Sequence, residues 1–265
     1  MKFGVCLGMN LETIDMAEQI IKLGYDYIET CIGCVAVMTD DEVDRLAKVQ
    51  QEKGVVTPSA NLLFPGDMLK REIHLVGPKR DVAWENEYIK MLMPRCAKLG
   101  IKALVFGSGT ARSVPDGYDY DKAVEELIDL CHRLSDGAAS YGVTIVIEPL
   151  QRKECNMITT VLEGLKLVQA VNRENVKLLA DIFHVYANGE SIDFPPEVFR
   201  NLYHVHYANT FNRLFPSGVT SDLKEFSECL KHGGYDRTIS LEGITNDRVE
   251  DAEKSLSVLN KLFRD

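Results

Sequence analysis

The 265-residue sequence contains no apolar run approaching the roughly 18 residues that a membrane-spanning helix requires. Its apolar start, Met1-Lys2-Phe3-Gly4-Val5-Cys6-Leu7-Gly8-Met9, stops at Asn10 and Glu12, too short for a signal h-region with a cleavage site. A cytoplasmic protein is therefore expected. No Pro/Gly/Ser-rich linker and no charge block offers a place to divide the chain. Basic residues are few: 30 Lys and Arg face 40 Asp and Glu, a net charge of −10, which gives little support to phosphate neutralisation and argues against nucleic acid. Seven cysteines, an odd number scattered over a long chain, lack the form of a disulfide framework and suit reduced thiols. Hydrophobic residues at 45% and charged residues at 26% describe a folded soluble protein and exclude collagen-like or disordered readings.

What the sequence does contain is a recurring unit. Amphipathic helical stretches end at a glycine and a short β-rich run follows at once: Lys22-Leu23-Gly24 before Tyr25–Glu29, Glu52-Lys53-Gly54 before Val55–Ala60, Lys98-Leu99-Gly100 before Ile101–Phe106, and Ser140-Tyr141-Gly142 before Val143–Glu148. Further strands are expected at Lys2–Leu7, Val176–Asp181, Leu202–Tyr207 and Thr238–Leu241. Helical patterns fall at about 11–23, 40–53, 80–99, 119–141, 159–173, 221–232 and 248–263, and the weakest link lies near Pro195-Pro196-Glu197-Val198-Phe199. Eight strands in 265 residues give about 33 residues per unit, the size of a βα repeat. Strict alternation predicts an α/β protein with a parallel sheet closed into a (β/α)8 TIM barrel, one domain over residues 1–265. An open doubly wound sheet would carry a phosphate fingerprint at its first βα turn, and Gly8-Met9-Asn10-Leu11 is none.

In such barrels the functional residues close the strands at their C-terminal ends. Four consecutive strand runs end on residues of metal-ligand type: Glu148, Asp181, His206 and Glu242. Singly, a carboxylate at a strand end reads as a helix cap or a solvated side chain. Together, on strands about 4.8 Å apart, they converge on one point where three carboxylates would repel one another without a cation. An oxygen-rich set with one imidazole suits Mn²⁺, with Mg²⁺ or Co²⁺ as alternatives, better than structural Zn²⁺.

The segments Glu148-Pro149-Leu150-Gln151-Arg152-Lys153-Glu154, Asp181-Ile182-Phe183-His184, His204-Val205-His206 and Ser240-Leu241-Glu242-Gly243 resemble signature segments of the xylose-isomerase-like barrels, the sugar phosphate isomerase/epimerase superfamily. The sub-pattern is most similar to ketose 3-epimerases of the tagatose/psicose type. The resemblance covers nearly the whole chain, with Gly24–Glu29 and Phe106-Gly107-Ser108-Gly109 matching further strand ends. It implies that Glu148, Asp181, His206 and Glu242 hold one divalent metal. It further implies that Glu148 and Glu242 act as the acid/base pair, and that Glu154, His184 and Arg213 bind substrate hydroxyls. The implied chemistry is proton abstraction and return through a metal-stabilised cis-enediolate, with each Glu binding through one oxygen so that the other stays free. The implied partners are a monosaccharide, free or phosphorylated, and a second or further copies of the chain in a homodimer or homotetramer, with neither nucleic acid nor membrane.

Several residues carry two readings. His184, three residues after Asp181, would lie on the opposite face of a continuing strand, so the chain must turn there if both reach one site. His204 shares a face with His206 and is sent down into the barrel, as a packed or supporting histidine rather than a ligand. The segment His206–Arg213 is one residue longer than the epimerase pattern, and Phe215–Asp222 lacks the histidine that usually follows, which leaves the substrate open. Cys6, Asn61, Phe64 and Arg112 sit near strand or loop ends as candidate substrate contacts from the first half of the chain, and each fits core packing or turn chemistry equally. Cys31-Ile32-Gly33-Cys34 has no second pair at zinc spacing, and Gly107-Ser108-Gly109 reads as a tight βα turn before it reads as a phosphate cradle. Trp84 falls in the apolar pattern of a helix and reads as packing.

Rival functions share the same residues. AP endonucleases of the superfamily use three metals and further histidines, absent here at Ser59-Ala60-Asn61, at Phe106-Gly107-Ser108 and after strand seven. Aldose–ketose isomerases and inosose dehydratases keep a single metal and change the reaction. A non-catalytic sugar-binding protein would keep the fold and lose turnover.

Overall fold

The computed structural model describes residues 1–264. Eight strands, β1 (Lys2–Cys6), β2 (Tyr27–Cys31), β3 (Ser59–Asn61), β4 (Ala103–Phe106), β5 (Thr144–Ile147), β6 (Val176–Asp181), β7 (Leu202–Tyr207) and β8 (Thr238–Leu241), each pair in parallel with the next. Pairing of β8 with β1 closes the barrel. Long helices lie outside it as α1 (Ile14–Leu23), α3 (Asp40–Lys53), α4 (Val82–Leu99), α6 (Tyr120–Ala139), α7 (Val161–Val171), α10 (Ser221–His232) and α11 (Arg248–Phe263). Short helices α2 (Ile32–Ala36), α5 (Gly109–Arg112), α8 (Ile182–Ala187) and α9 (Pro196–Asn201) fill the connections. The expected weak link near Pro195 is the six-residue α9. Among the described residues no helix is long and apolar enough to cross a membrane.

The boundaries follow local chemistry. Helices α1 and α3 stop where Gly24 and Gly54 turn left-handed, at φ 112° and 64°, so the chain reverses into the next strand without a Cβ penalty. Thr39 and Glu42 form a reciprocal capping box at the start of α3. Strand β3 is shorter than the sequence suggests: Pro58 has no N–H to give, and pairing begins at Ser59. Strand β2 in turn runs two residues beyond Glu29, to Cys31.

Outward strand residues and the inner faces of the helices form one large apolar core. The barrel interior is divided. Ala103, Val105, Val146 and Leu179 make a small dry cluster under β4 to β6. Toward β1, β2, β7 and β8 it is polar, with Tyr27, Glu29, His204, His206 and Ser240 buried together. Gly4 makes room for this side, since a Cβ there would stand 2.1 Å from the Tyr27 ring. Between β6 and β7 the register shifts: Leu178 faces Leu202 but Leu179 faces His204, so Tyr203 is an extra residue. Tyr203 packs on the inner cluster and His204 also lies inside.

Candidate metal centre

The ladder continues one residue past β5 and β8, because Glu148 N–H donates to Phe106 O (3.2 Å) and Glu242 N–H to Tyr207 O (3.2 Å). Both carboxylates are thereby fixed at the barrel mouth. Asp181 ends β6 directly opposite His206 of β7. Donor atoms of Glu148, Asp181, His206 and Glu242 all lie within 4.8 Å of one another. His206 Nδ1 stands 3.1 Å from Glu148 Oε1 and 3.2 Å from Glu242 Oε2. Octahedral coordination at about 2.1 Å places neighbouring donors about 3 Å apart, so these separations fit a divalent cation. The donors, one imidazole and three carboxylates, are of the right kind.

The three expected substrate contacts border this cluster. Asp181 is also the N-cap of α8, its Oδ1 accepting from Phe183 N–H at 2.8 Å. The helix that starts there supplies the turn required for His184, whose Nε2 returns to 3.5 Å from Asp181 Oδ2. Gln151 N–H donates to His184 Nδ1 at 3.2 Å and holds the ring. Arg213 donates through Nη2 to Glu242 Oε2 (2.6 Å) and Asp181 Oδ2 (3.2 Å), with Nη1 3.8 Å from Glu154 Oε1. Glu154 is exposed at the rim, where its Oε1 accepts from Gln151 Nε2 at 2.6 Å. All seven residues singled out in the sequence therefore meet at one place.

Burial opposes charge on His206, but Glu242, Glu29 and Glu148 outweigh it and hold the imidazole pKa well above its ordinary value. Burial likewise opposes ionisation of Glu242, and His206 and Arg213 reverse the balance and hold it well below the carboxylate range. For Arg213, burial is outweighed by Asp181 and Glu242, which strengthen its charge.

The sequence leaves Asn61 and Arg112 between several readings and gives Glu29 no role, and the structure makes all three supporting residues. Glu29, wholly buried beneath the cluster, reaches His206 Nε2 at 3.0 Å. Its signal was available: both faces of a closed parallel barrel are covered, so a carboxylate inside a strand cannot be an ordinary solvated one. Asn61 Nδ2 donates to Glu242 Oε1 at 2.7 Å. Arg112 is buried and donates to the carbonyls of Phe106 (2.8 Å), Glu148 (2.7 Å) and Ile158 (3.3 Å), bracing the end of β5 from below. His204 is the buried supporting histidine expected, with Nε2 2.6 Å from Glu29 Oε2. The glycines after β4 serve close approach: a Cβ on Gly107 would lie 2.2 Å from Glu148 Oε2, and one on Gly109 would lie 2.6 Å from Glu154 O. A carboxylate in that position disfavours a phosphate there. A cavity of about 710 Å³ opens beside the cluster, between residues 62–74 and 108–111, and none of the seven residues lines it.

Known proteins resemble this chain to different extents. The chain is 29% identical over 181 residues to the inosose isomerase of Bacillus subtilis, a stretch covering 62% of this chain and 62% of that protein's length. It is 25% identical over 249 residues to the D-psicose 3-epimerase of Ruminiclostridium cellulolyticum, covering 85% and 76% of the two chains. A crystal structure of the IOLI protein with a bound zinc atom superposes with a TM-score of 0.72 at 23% identity, covering 99% of each chain. At that identity the likeness speaks for the fold alone. A family model described as xylose isomerase-like TIM barrel matches residues 17–262, from α1 into α11 and through all four donor positions, and the chain belongs to that family.

Proposed function

We propose that this protein is a divalent-metal-dependent sugar epimerase or isomerase, working as a ketose 3-epimerase on a free or phosphorylated monosaccharide. The observation that carries the reading is the convergence of Glu148, Asp181, His206 and Glu242 on one point at the barrel mouth. Mn²⁺ is the cation best suited to three carboxylates and one imidazole, with Mg²⁺ or Co²⁺ next. The zinc of the IOLI protein supports a cation site on this fold. A cation held by the four residues would act as a Lewis acid toward a sugar carbonyl and its neighbouring hydroxyl.

The chain's own residues supply the proton chemistry. Glu148 and Glu242 come from β5 and β8, three strands apart, and approach the centre from two sides. One removes the proton from the carbon next to the carbonyl, and the other returns a proton to the opposite face of the enediolate, inverting the carbon. Each has one oxygen in the cluster and a second outside it: Glu148 Oε2 faces Gly107, and Glu242 Oε1 is oriented by Asn61. Arg213, His184 and Glu154 offer donors and acceptors to the sugar hydroxyls. Their charge balance is suited to a polar neutral substrate. The net charge of −10 and the acidic mouth speak against a nucleic acid.

The relation to inosose isomerases supports a second reading on the same residues, a proton shift between adjacent carbons of a keto-polyol. The experiment that separates the readings is incubation of Mn²⁺-loaded protein with a panel of ketoses and inososes in D₂O. Deuterium at C3 of a ketose identifies the epimerase, label at C1 or C2 the isomerase, and loss of a hydroxyl a dehydratase. Cation binding without exchange into any sugar would leave a binding protein. Glu148→Gln and Glu242→Gln should each abolish exchange, and full activity in either refutes the acid/base pair.

A further inference from the structure

Glu29 is 0% exposed and lies below the donor cluster, out of reach of any substrate. Burying a lone carboxylate is strongly unfavourable, so a retained one must be matched by donors. Here there are four. Oε2 accepts from Ser240 Oγ (2.6 Å), His204 Nε2 (2.6 Å) and Ser59 Oγ (3.1 Å), while Oε1 is left to His206 Nε2 at 3.0 Å. Two of these donors are themselves anchored: Ser240 meets Tyr27 OH at 2.9 Å, and His204 Nδ1 meets Thr238 Oγ1 at 2.7 Å. Four donors converge on this one side chain, so it accepts throughout, and the Nε2 of His206 carries the proton in this contact.

We propose that Glu29 is a positioning residue for the cation site: by taking the Nε2–H of His206 it fixes the ring so that Nδ1 is the atom presented to Glu148, Asp181 and Glu242. This rests on the metal reading given above. The reason lies in the two nitrogens of imidazole. Without a partner for Nε2 the ring can rotate or carry its proton on Nδ1, and the donor face is lost. A carboxylate behind a metal-binding histidine sets the tautomer and raises the basicity of the coordinating nitrogen. The network below Oε2 prevents Glu29 from turning away, so the polar half of the barrel interior serves the mouth above it. A competing arrangement uses the same atoms, because donors of Cys6, Glu29 and His206 also lie within 4.8 Å of one another. In that case a cation would sit lower, and His206 would bind through Nε2.

The test is calorimetric titration of the full-length chain with Mn²⁺ alone, in wild type and in the isosteric Glu29→Gln variant. Wild type should bind one equivalent, and Glu29→Gln should bind about 10- to 100-fold more weakly while keeping the wild-type circular dichroism. A wild type that binds no Mn²⁺ would remove the metal reading itself. Wild-type binding with affinity unchanged in Glu29→Gln would overturn only the role of Glu29. Should Glu29→Gln fail to fold, ¹⁵N spectra of Zn²⁺-loaded wild type decide. His206 with a protonated Nε2 and a metal-bound Nδ1 supports the proposal, and the reverse overturns it. A thiolate-to-metal charge-transfer band in the Co²⁺-loaded protein would place the cation on Cys6 and overturn it as well.

Discussion

Replacing Gly107 by alanine tests the site through a single methyl group. The added Cβ would lie 2.2 Å from Glu148 Oε2 and 3.2 Å from its carboxyl carbon, whereas ordinary contact begins near 3.4 Å. The carboxylate must therefore retreat by about 1.2 Å, the difference between the ordinary and the imposed distance. The backbone cannot take up the shift, because Arg112 ties the carbonyls of Phe106 and Glu148 together at 2.8 and 2.7 Å. Retreat of Glu148 opens its 3.1 Å approach to His206 Nδ1. Gly107 is not left-handed, so alanine is conformationally acceptable and the barrel should remain folded. Misplacement of a reacting group by about 1 Å costs on the order of 100-fold in rate. The assay is solvent deuterium exchange into the accepted sugar, resolved into kcat and KM, with Mn²⁺ affinity measured in parallel. A kcat/KM within about threefold of wild type, with unchanged Mn²⁺ affinity, would refute the argument that Glu148 needs this place.

Arg112→Met removes the donor to three carbonyls inside the protein, two of them at 2.7–2.8 Å. Phe106 O keeps the Glu148 N–H and Ile158 O keeps the Leu150 N–H, each at 3.2 Å, so Glu148 O is the acceptor left without a donor. At about 1–3 kcal/mol for that acceptor, denaturant unfolding should show a loss of roughly 1–3 kcal/mol, and a loss below about 0.5 kcal/mol would contradict the bracing role. Mn²⁺ at about 100 times its dissociation constant should add roughly 2.7 kcal/mol and raise Tm by about 5–10 °C, reversibly on adding EDTA. No shift in Tm would count against the cation site. Cys31 is half-exposed, and its hydrogen bond with Cys34 lowers its pKa to about 7, against burial that opposes this. Since the thiolate is the nucleophile, iodoacetamide should label Cys31 ahead of the buried thiols, with a rate that rises from pH 6 to 8 and is half-maximal near pH 7. The profile should move to higher pH in Cys34→Ala, and an unmoved profile would exclude the pairing.

The barrel was legible because its signal is local and repeated: helix, glycine and strand recur, and Glu148, Asp181, His206 and Glu242 each close a strand run. His184 was readable only in part. Three residues along a strand put it on the wrong face, and the helix that begins at Ile182 under the Asp181 cap brings it back. The supporting roles of Glu29 and Asn61 are hidden because their partners are distant in the chain, 177 residues from Glu29 to His206 and 181 from Asn61 to Glu242, while Arg112, only 6 to 46 residues from the carbonyls it joins, fits core packing or turn chemistry just as well from sequence. Closure of the barrel marks Glu29 as a buried carboxylate, but nothing near it in sequence names the two histidines it accepts from. The shortening of β3 was foreshadowed by Pro58, whose effect on a ladder is local and known. The β6/β7 shift has no counterpart in composition or periodicity.

That shift gives β7 a phase. Tyr203 and His204 both lie toward the barrel axis, and alternation resumes from His204, so His206 is inward and Val205 and Tyr207 point to the helices. Had the strand alternated without interruption from Tyr203, the inward positions would be 203, 205 and 207, and both histidines would face the helical layer. The donor set is therefore sensitive to chain length at one point as well as to residue identity. Because Tyr203 is the extra residue, its deletion would leave Leu202 opposite Leu178 and His204 opposite Leu179 in plain alternation with His206 still inward, whereas one residue inserted between His204 and His206 would exchange the two faces of the strand above it. Within this barrel, one uncounted residue works as a reading frame for the chemistry at the mouth.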